Sequence, residues 1–147
     1  MRTYRFSSEL WLPRSITEVF AFFSDAGNLE RLTPPWLNFH ILTPRPIAMA
    51  VGTRIQYKLR IHGVPVRWES EISAWRPPYF FADDQIRGPY RLWHHEHSFQ
   101  EQEHGTLVRD AVEYAVLGGA LVNRLLVAPD VRQIFGYRTE VLRKLLG

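Results

Sequence analysis

Between Arg54 and Ile61 every second residue is apolar: Ile55, Tyr57, Leu59 and Ile61 alternate with Arg54, Gln56, Lys58 and Arg60. After Gly63 the pattern resumes, with Val66, Trp68, Ser70, Ile72 and Ala74 set against Arg67, Glu69, Glu71 and Ser73. A two-residue period puts successive side chains on opposite faces of a strand, so each segment has one dry face and one wet face. A series of such strands suits an antiparallel sheet solvated on one side. Tyr4 to Leu12 fits the same sheet, with Tyr4, Phe6, Ser8, Leu10 and Leu12 opposite Arg5, Ser7, Glu9 and Trp11, and it stops at Pro13.

The same step over Arg91 to Glu101 places Trp93, His95, His97 and Phe99 on one face, with His94 pointing the other way. From Thr106 to Val116 the apolar face holds Val108, Val112, Tyr114 and Val116 and one carboxylate, Asp110; Arg109, Ala111 and Glu113 lie opposite. The short Gly-containing connection Gln102 to Gly105 predicts a hairpin, and matching its apolar faces sets Phe99 opposite Val108 and His97 opposite Asp110. Tyr79 to Arg87 carries apolar residues on both parities, which leaves open whether Asp83 and Gln85 or Asp84 and Ile86 face inward.

Helices bracket the sheet. Ser15-Ile16-Thr17-Glu18 has capping-box spacing, Ser15 accepting from a backbone N–H and Glu18 reaching back, and predicts a short helix containing Val19, Phe20, Phe22 and Phe23. Gly27 is placed to end it, Asn28 to cap a second turn through Leu32, and Pro34-Pro35 to forbid continuation. After Gly118-Gly119, Ala120 to Val127 reads as a short helix stopped before Pro129, and Asp130-Val131-Arg132-Gln133 as the start of a long final helix. Val131, Ile134, Phe135, Val141, Leu142 and Leu145 form its apolar stripe, with Arg138 inside it.

This order is α+β: a strand, two short helices, about six more strands and one long C-terminal helix. A curved sheet with one dry face can wrap a helix without being filled by it, which leaves room for a cavity. The 147 residues, 46% hydrophobic and 14% aromatic, suffice for a single domain over 1–147 with a real core. With no cysteine, disulfide frameworks, thiolate nucleophiles and cysteine-ligated metals are excluded. The net charge of +3 is dispersed and forms no basic stripe, so nucleic acid is not an expected partner. With no apolar run of membrane-spanning length and no cleavable leader pattern, the expectation is a cytoplasmic, soluble protein.

The segments Asn28-Leu29-Glu30-Arg31-Leu32-Thr33-Pro34-Pro35-Trp36, Arg87 to Phe99 and Val131 to Arg138, in this element order, resemble the START/Bet v 1-like (SRPBCC, polyketide cyclase/dehydrase-like) superfamily, in particular a bacterial ligand-binding subgroup. The resemblance spans essentially the whole chain. It implies a helix-grip fold, a curved antiparallel sheet of about seven strands around the C-terminal helix, with two short helices after the first strand. It also implies a choice among lipid and hormone carriers, aromatase/cyclases and chaperone-associated modules, and fold alone does not make that choice.

Candidate residues come from the predicted dry face. His97 with Asp110 is either a general acid/base pair or a satisfied buried polar pair, the second weighing more because an unpaired buried His or Asp is costly. His95 and His97 share a face as strand-borne metal ligands do, with Asp110 a conceivable third, but without a further cluster no metal is expected. Tyr57, Trp68, Trp93, Phe99 and Tyr114 are either core or cavity wall, and Trp36 a candidate entrance residue. Arg138 either reaches into the cavity, to an anionic ligand group or to Asp110, Asp83 or Asp84, or snorkels at the helix margin. Ser70 has no nucleophile elbow or base, so hydrolysis is not expected.

The expected function is binding of a mostly apolar small molecule, lipid-like or aromatic/polyketide-like, between sheet and C-terminal helix, with no cofactor. One alternative is a cyclase or dehydratase using the His97–Asp110 pair. Another is an interaction module for an NAD-dependent epimerase-like enzyme or a chaperone, acting through an exposed patch near Trp11 and Trp75. The chain itself has no Gly-rich dinucleotide fingerprint.

Overall fold

A computed structural model describes residues 1–147. The strands are β1 Tyr4–Leu12, β2 His40–Ile41, β3 Arg54–Ile61, β4 Val64–Arg76, β5 Phe80–Arg87, β6 Leu92–Gln102 and β7 Gly105–Ala115. They form one seven-stranded sheet in the order β1-β7-β6-β5-β4-β3-β2, antiparallel at every step. Helices α1 Ile16–Ser24 and α2 Asn28–Leu32 follow β1; α3 Gly119–Val122 follows β7, and the long helix α4 Ala128–Leu146 closes the fold. This is the helix-grip architecture expected from the sequence. No helix is long and apolar enough to cross a membrane.

The β6–β7 hairpin has the predicted register, Phe99 opposite Val108 and His97 opposite Asp110. Its turn falls in the expected segment Gln102 to Gly105. Gln102 pairs with Gly105, and Glu103 and His104 both take positive φ, the two-residue geometry that matches strand twist. A Cβ on Gly105 would meet the Leu12 carbonyl at 2.4 Å, so only glycine lets β1 approach here.

The main core lies at one end of the grip, where Phe20 and Phe23 of α1 pack with Phe81, Phe99, Val108, Leu142 and Leu146. A second cluster of Val112, Tyr114, Val131 and Phe135 joins β7 to the beginning of α4. The middle of the grip is left unfilled.

Several local expectations are corrected. The helix expected to stop before Pro129 does not stop: α3, a π turn over Asn123–Val127 and α4 run on as one helical segment. Proline has no N–H for the helix ladder and crowds the carbonyl four residues back, and the wider π turn absorbs both defects. Asp130 therefore lies inside a helix and caps nothing; it bonds His62 Nε2 at 2.8 Å. Ser15 caps α1 as expected, accepting from the Glu18 N–H at 3.2 Å, but Glu18 pairs with Arg14 at 2.9 Å instead of reaching back. Asn28 does not cap from outside α2; it lies within the helix and its amide donates to the Phe22 carbonyl at 2.8 Å.

The proposed Trp11/Trp75 patch does not exist. Between Ile72 and Ala74 the β4–β5 register shifts, so Ser73 is bulged out and the parity of β4 reverses. Trp75 consequently turns inward onto Phe20 and Phe81, while Trp11 faces outward on β1 and gives its N–H to the Gln102 carbonyl at 2.7 Å. The two indoles lie on opposite faces of the sheet.

Candidate functional site

The space between the sheet and α4 is a cavity of about 1100 Å³, walled mainly by hydrophobic side chains from α1, α2, β3, β4, β5, β6 and α4. Strand alternation explains the wall: Ile55, Tyr57 and Leu59 on β3 and Trp68, Ser70 and Ile72 on β4 all point to the dry side. Of the sequence-derived candidates, Tyr57, Trp68, Trp93, His95, His97, Arg138 and Trp36 line it. Trp36, 57% exposed, sits at the rim with its ring edge toward Tyr137 of α4. Phe99 and Tyr114 do not line it. Phe99 is buried in the main core, and Tyr114 in the second cluster, its hydroxyl donating to Asn123 Oδ1 at 2.8 Å. Asp110 lies behind the wall, 5% exposed, as a buried partner of wall residues.

The polar floor is built by three adjacent strands and one helix. Asp83 on β5 faces inward and Asp84 outward, where Asp84 bonds His94 Nδ1 at 2.7 Å. The pairing is crossed. Asp110 stands directly opposite His97 yet accepts from His95 Nε2 at 2.8 Å; Asp83 stands directly opposite His95 yet accepts from His97 Nε2 at 2.8 Å. Each carboxylate thus reaches the diagonal neighbour, within range on a twisted sheet. The His97 Nδ1 lies 3.4 Å from Asp110 Oδ1, and Arg138 Nη2 approaches both Asp110 Oδ1, at 3.3 Å, and His97 Nδ1, at 3.4 Å. His97 is sandwiched, Phe81 stacking on one face at 3.9 Å and His95 on the other at 3.8 Å.

These contacts separate the two imidazoles electrostatically. Burial and the neighbouring His97 push His95 down to about 4, against the opposing pull of Asp110 and Asp83, so its ring is neutral near pH 7. Burial also opposes charge on His97, but Asp110 and Asp83 together outweigh it and raise its pKa. Asp110 is buried, which alone would raise its pKa; Arg138, His95 and His97 hold it well below the usual carboxylate range. Asp83 is likewise held ionised against burial by His97, His95 and Arg138. Because Asp110 accepts through an ionised oxygen, His95 carries its proton on Nε2, and its Nδ1 has no protein partner. Arg138 is 7% exposed and does not snorkel; its Nη2 donates to Asp110 at 3.3 Å, its buried Nε has no partner, and its guanidinium lies over the Phe23 and Phe135 rings.

An aromatic wall stands beside this floor. Trp68 meets Trp93 and Tyr90 edge-on at 5.5 Å each, and Tyr57 stacks on Trp68 at 5.9 Å. Tyr90 is held by Gln85, whose side-chain amide donates to its carbonyl at 2.7 Å and accepts from its N–H at 3.1 Å. Trp68 Nε1 donates to Ser70 Oγ at 3.0 Å, and the Ser70 and Tyr57 hydroxyls lie 2.9 Å apart. Burial and Asp83 raise the Tyr57 pKa, so its phenol stays neutral.

Asp83, His95 and His97 each bring a ligand atom within 4.8 Å of one another, spacing that a metal ion could bridge. His95 Nδ1 is open while its Nε2 stays on Asp110, but both His97 nitrogens are engaged, so a metal held by all three would require breaking the His97–Asp83 bond. Sequence reasoning left the facing of Asp83 open and passed over Tyr90. The β5 pairing that places Asp83 inward is a long-range property, whereas the spacing of Gln85 and Tyr90 across Gly88-Pro89 was a local signal.

A family model described as "Polyketide cyclase / dehydrase and lipid transport" matches residues 12–134. Solved structures share the fold at low identity. Protein CV1439 from Chromobacterium violaceum superposes with TM-score 0.75 at 12% identity over 97% of both chains. Protein TTHA0849 from Thermus thermophilus gives 0.71 at 17%, over 95% of this chain and 97% of that one. The major latex-like protein 151 from Panax ginseng gives 0.71 at 11%, over 97% and 96%. No curated protein matches the sequence significantly. Sheet, grip and family match together establish that the chain is a ligand-binding SRPBCC domain and belongs to the polyketide cyclase/dehydrase and lipid transport family, with a Bet v 1-like fold.

Proposed function

We propose that the chain binds a mostly apolar small molecule, lipid-like or aromatic/polyketide-like, in the cavity between sheet and α4. The observation that carries this is a cavity of about 1100 Å³ with a largely hydrophobic wall and one concentrated polar floor. That volume is slightly above the range of about 300–1,000 Å³ typical of small-molecule sites. The ligand residues in this reading are Tyr57, Trp68, Trp93, His95, His97 and Arg138, with Asp83 and Tyr90 added, and Trp36 at the entrance. Phe99, Asp110 and Tyr114 support the wall from behind. Organic extraction of freshly purified protein followed by mass spectrometry, and titration with lipids and polycyclic aromatics, tests it. A co-purifying apolar molecule or saturable binding supports the reading; absence of both across the panel contradicts it.

A cyclase or dehydratase built on His97 and Asp110 is the second reading, favoured by the buried, charged His–Asp floor. The geometry weakens it. Both His97 nitrogens face carboxylates, which leaves no free nitrogen to exchange a proton with a ligand, and His95, with a free Nδ1, is a weak base at about 4. If this reading holds, His97→Ala abolishes turnover of an enolisable polyketide and leaves its affinity nearly unchanged. The epimerase-like or chaperone partner has lost its proposed surface, since Trp11 and Trp75 are not neighbours.

A further inference from the structure

We infer that the cavity is selective for an amphipathic organic cation, an amine whose ammonium sits on the cavity side of Asp83 with its apolar body against Trp68, Tyr90 and Trp93. This rests on the binding function proposed above and names the chemistry of the ligand's polar end.

Asp83 is the ionised group of the floor with capacity to spare. Its Oδ2 accepts from His97 Nε2, while its Oδ1 has no protein partner, and its side chain is 19% exposed where it meets the cavity. A carboxylate oxygen left open in an apolar chamber asks for a charge-assisted donor. The other carboxylate of the floor is not available. Asp110 is taken up by His95, His97 and Arg138, and the only guanidinium in the wall, Arg138, turns its Nη2 to Asp110 and His97 and keeps a buried Nε without a partner.

A second observation points the same way without depending on Asp83. The rings of Trp68, Tyr90 and Trp93 lie 4.8 to 5.5 Å from one another and line the same chamber, and aromatic faces attract cations through their quadrupoles. The sign of the remaining lining agrees. Although the whole protein carries +3, the charges of the wall are the carboxylates of Asp25, Asp83, Asp130 and Glu140 against the Arg138 guanidinium and the His97 imidazolium. A chamber with an excess of one sign of charge concentrates ions of the other. An anionic ligand, which Arg138 suggested from the sequence, would instead face four carboxylates, with only the partly paired Arg138 guanidinium to receive it.

Three probes of one shape separate the possibilities by calorimetry at low salt and near-neutral pH: 1-naphthylmethylamine, 1-naphthalenemethanol and 1-naphthaleneacetate. The amine is expected to bind about tenfold or more tighter than the alcohol, with the acetate weakest. Asp83→Asn, which keeps the shape of the side chain, is expected to lower amine affinity to that of the alcohol measured on the same variant. The acetate binding as well as the amine, the alcohol matching the amine on the native protein, or an amine preference that survives Asp83→Asn would each overturn the inference. Should Asp83→Asn not fold, the ranking on the native protein decides. Binding of the alcohol without amine preference leaves the apolar-ligand function standing; failure of all three probes contradicts both.

Discussion

His95 and His97 lie face to face with ring centroids 3.8 Å apart, and their surroundings push their pKa values in opposite directions. Two stacked imidazoles cannot both hold a charge cheaply at that separation, so the crossed carboxylates decide which one does. His97, flanked by Asp83 and Asp110, takes the proton; His95, bonded to one carboxylate shared with Arg138, does not.

A nitrogen-detected NMR titration checks this directly. His95 is expected to remain neutral, with the proton on Nε2, until the pH falls to about 4. His97 is expected to stay doubly protonated above the ordinary histidine value of about 6.5. Both rings titrating together near that value would contradict the assignment.

Stability should follow pH with two opposite limbs. His97 has a raised folded pKa, so its contribution is complete below about 6.5 and is lost as pH rises through the folded value. His95 has a depressed one: as pH falls from about 6.5 toward about 4, the unfolded chain takes up a proton that the folded chain refuses, and stability drops. The lowered Asp83 and Asp110 add to that acid limb, since their contribution is lost as pH falls through their folded values. Urea denaturation across pH should therefore show a maximum at mildly acidic to neutral pH. In His97→Gln the alkaline decline should flatten while the acid limb persists.

Arg138 holds the charge balance of the floor. Arg138→Met keeps the apolar stem but leaves Asp110 buried without its guanidinium, which should cost about 3 kcal/mol or more. Adding Asp110→Asn should recover a large part of that loss, the signature of a coupled buried pair. Chemical denaturation of the two single variants and the double variant measures it, and strict additivity would contradict the pairing.

The architecture was legible in the sequence wherever one strand face was consistently dry. The alternation of Ile55 to Ile61 and of Trp93 to Phe99 gave strands, faces and the His97–Asp110 register, because a one-residue slip would have buried charges. It was not legible where pairing overrides local pattern. Asp83 was ambiguous because Phe80 and Phe81 are both apolar, and only its ladder to β6 turns it inward. Trp75 was misplaced by a bulge at Ser73 that depends on β5, and Pro129 was read as a stop because the π turn that tolerates it has no local signature. The crossed bonding is a diagonal relationship that hairpin register alone does not reveal.

The central claim is that the unfilled middle of the grip is a binding chamber, and titration with the neutral fluorescent probe N-phenyl-1-naphthylamine tests it most directly. The native protein is expected to give saturable enhancement at one site, and Ile134→Trp, which places an indole on the cavity wall, to weaken it about tenfold or more while the fold survives. No saturable signal, or binding indifferent to that substitution, would contradict the account.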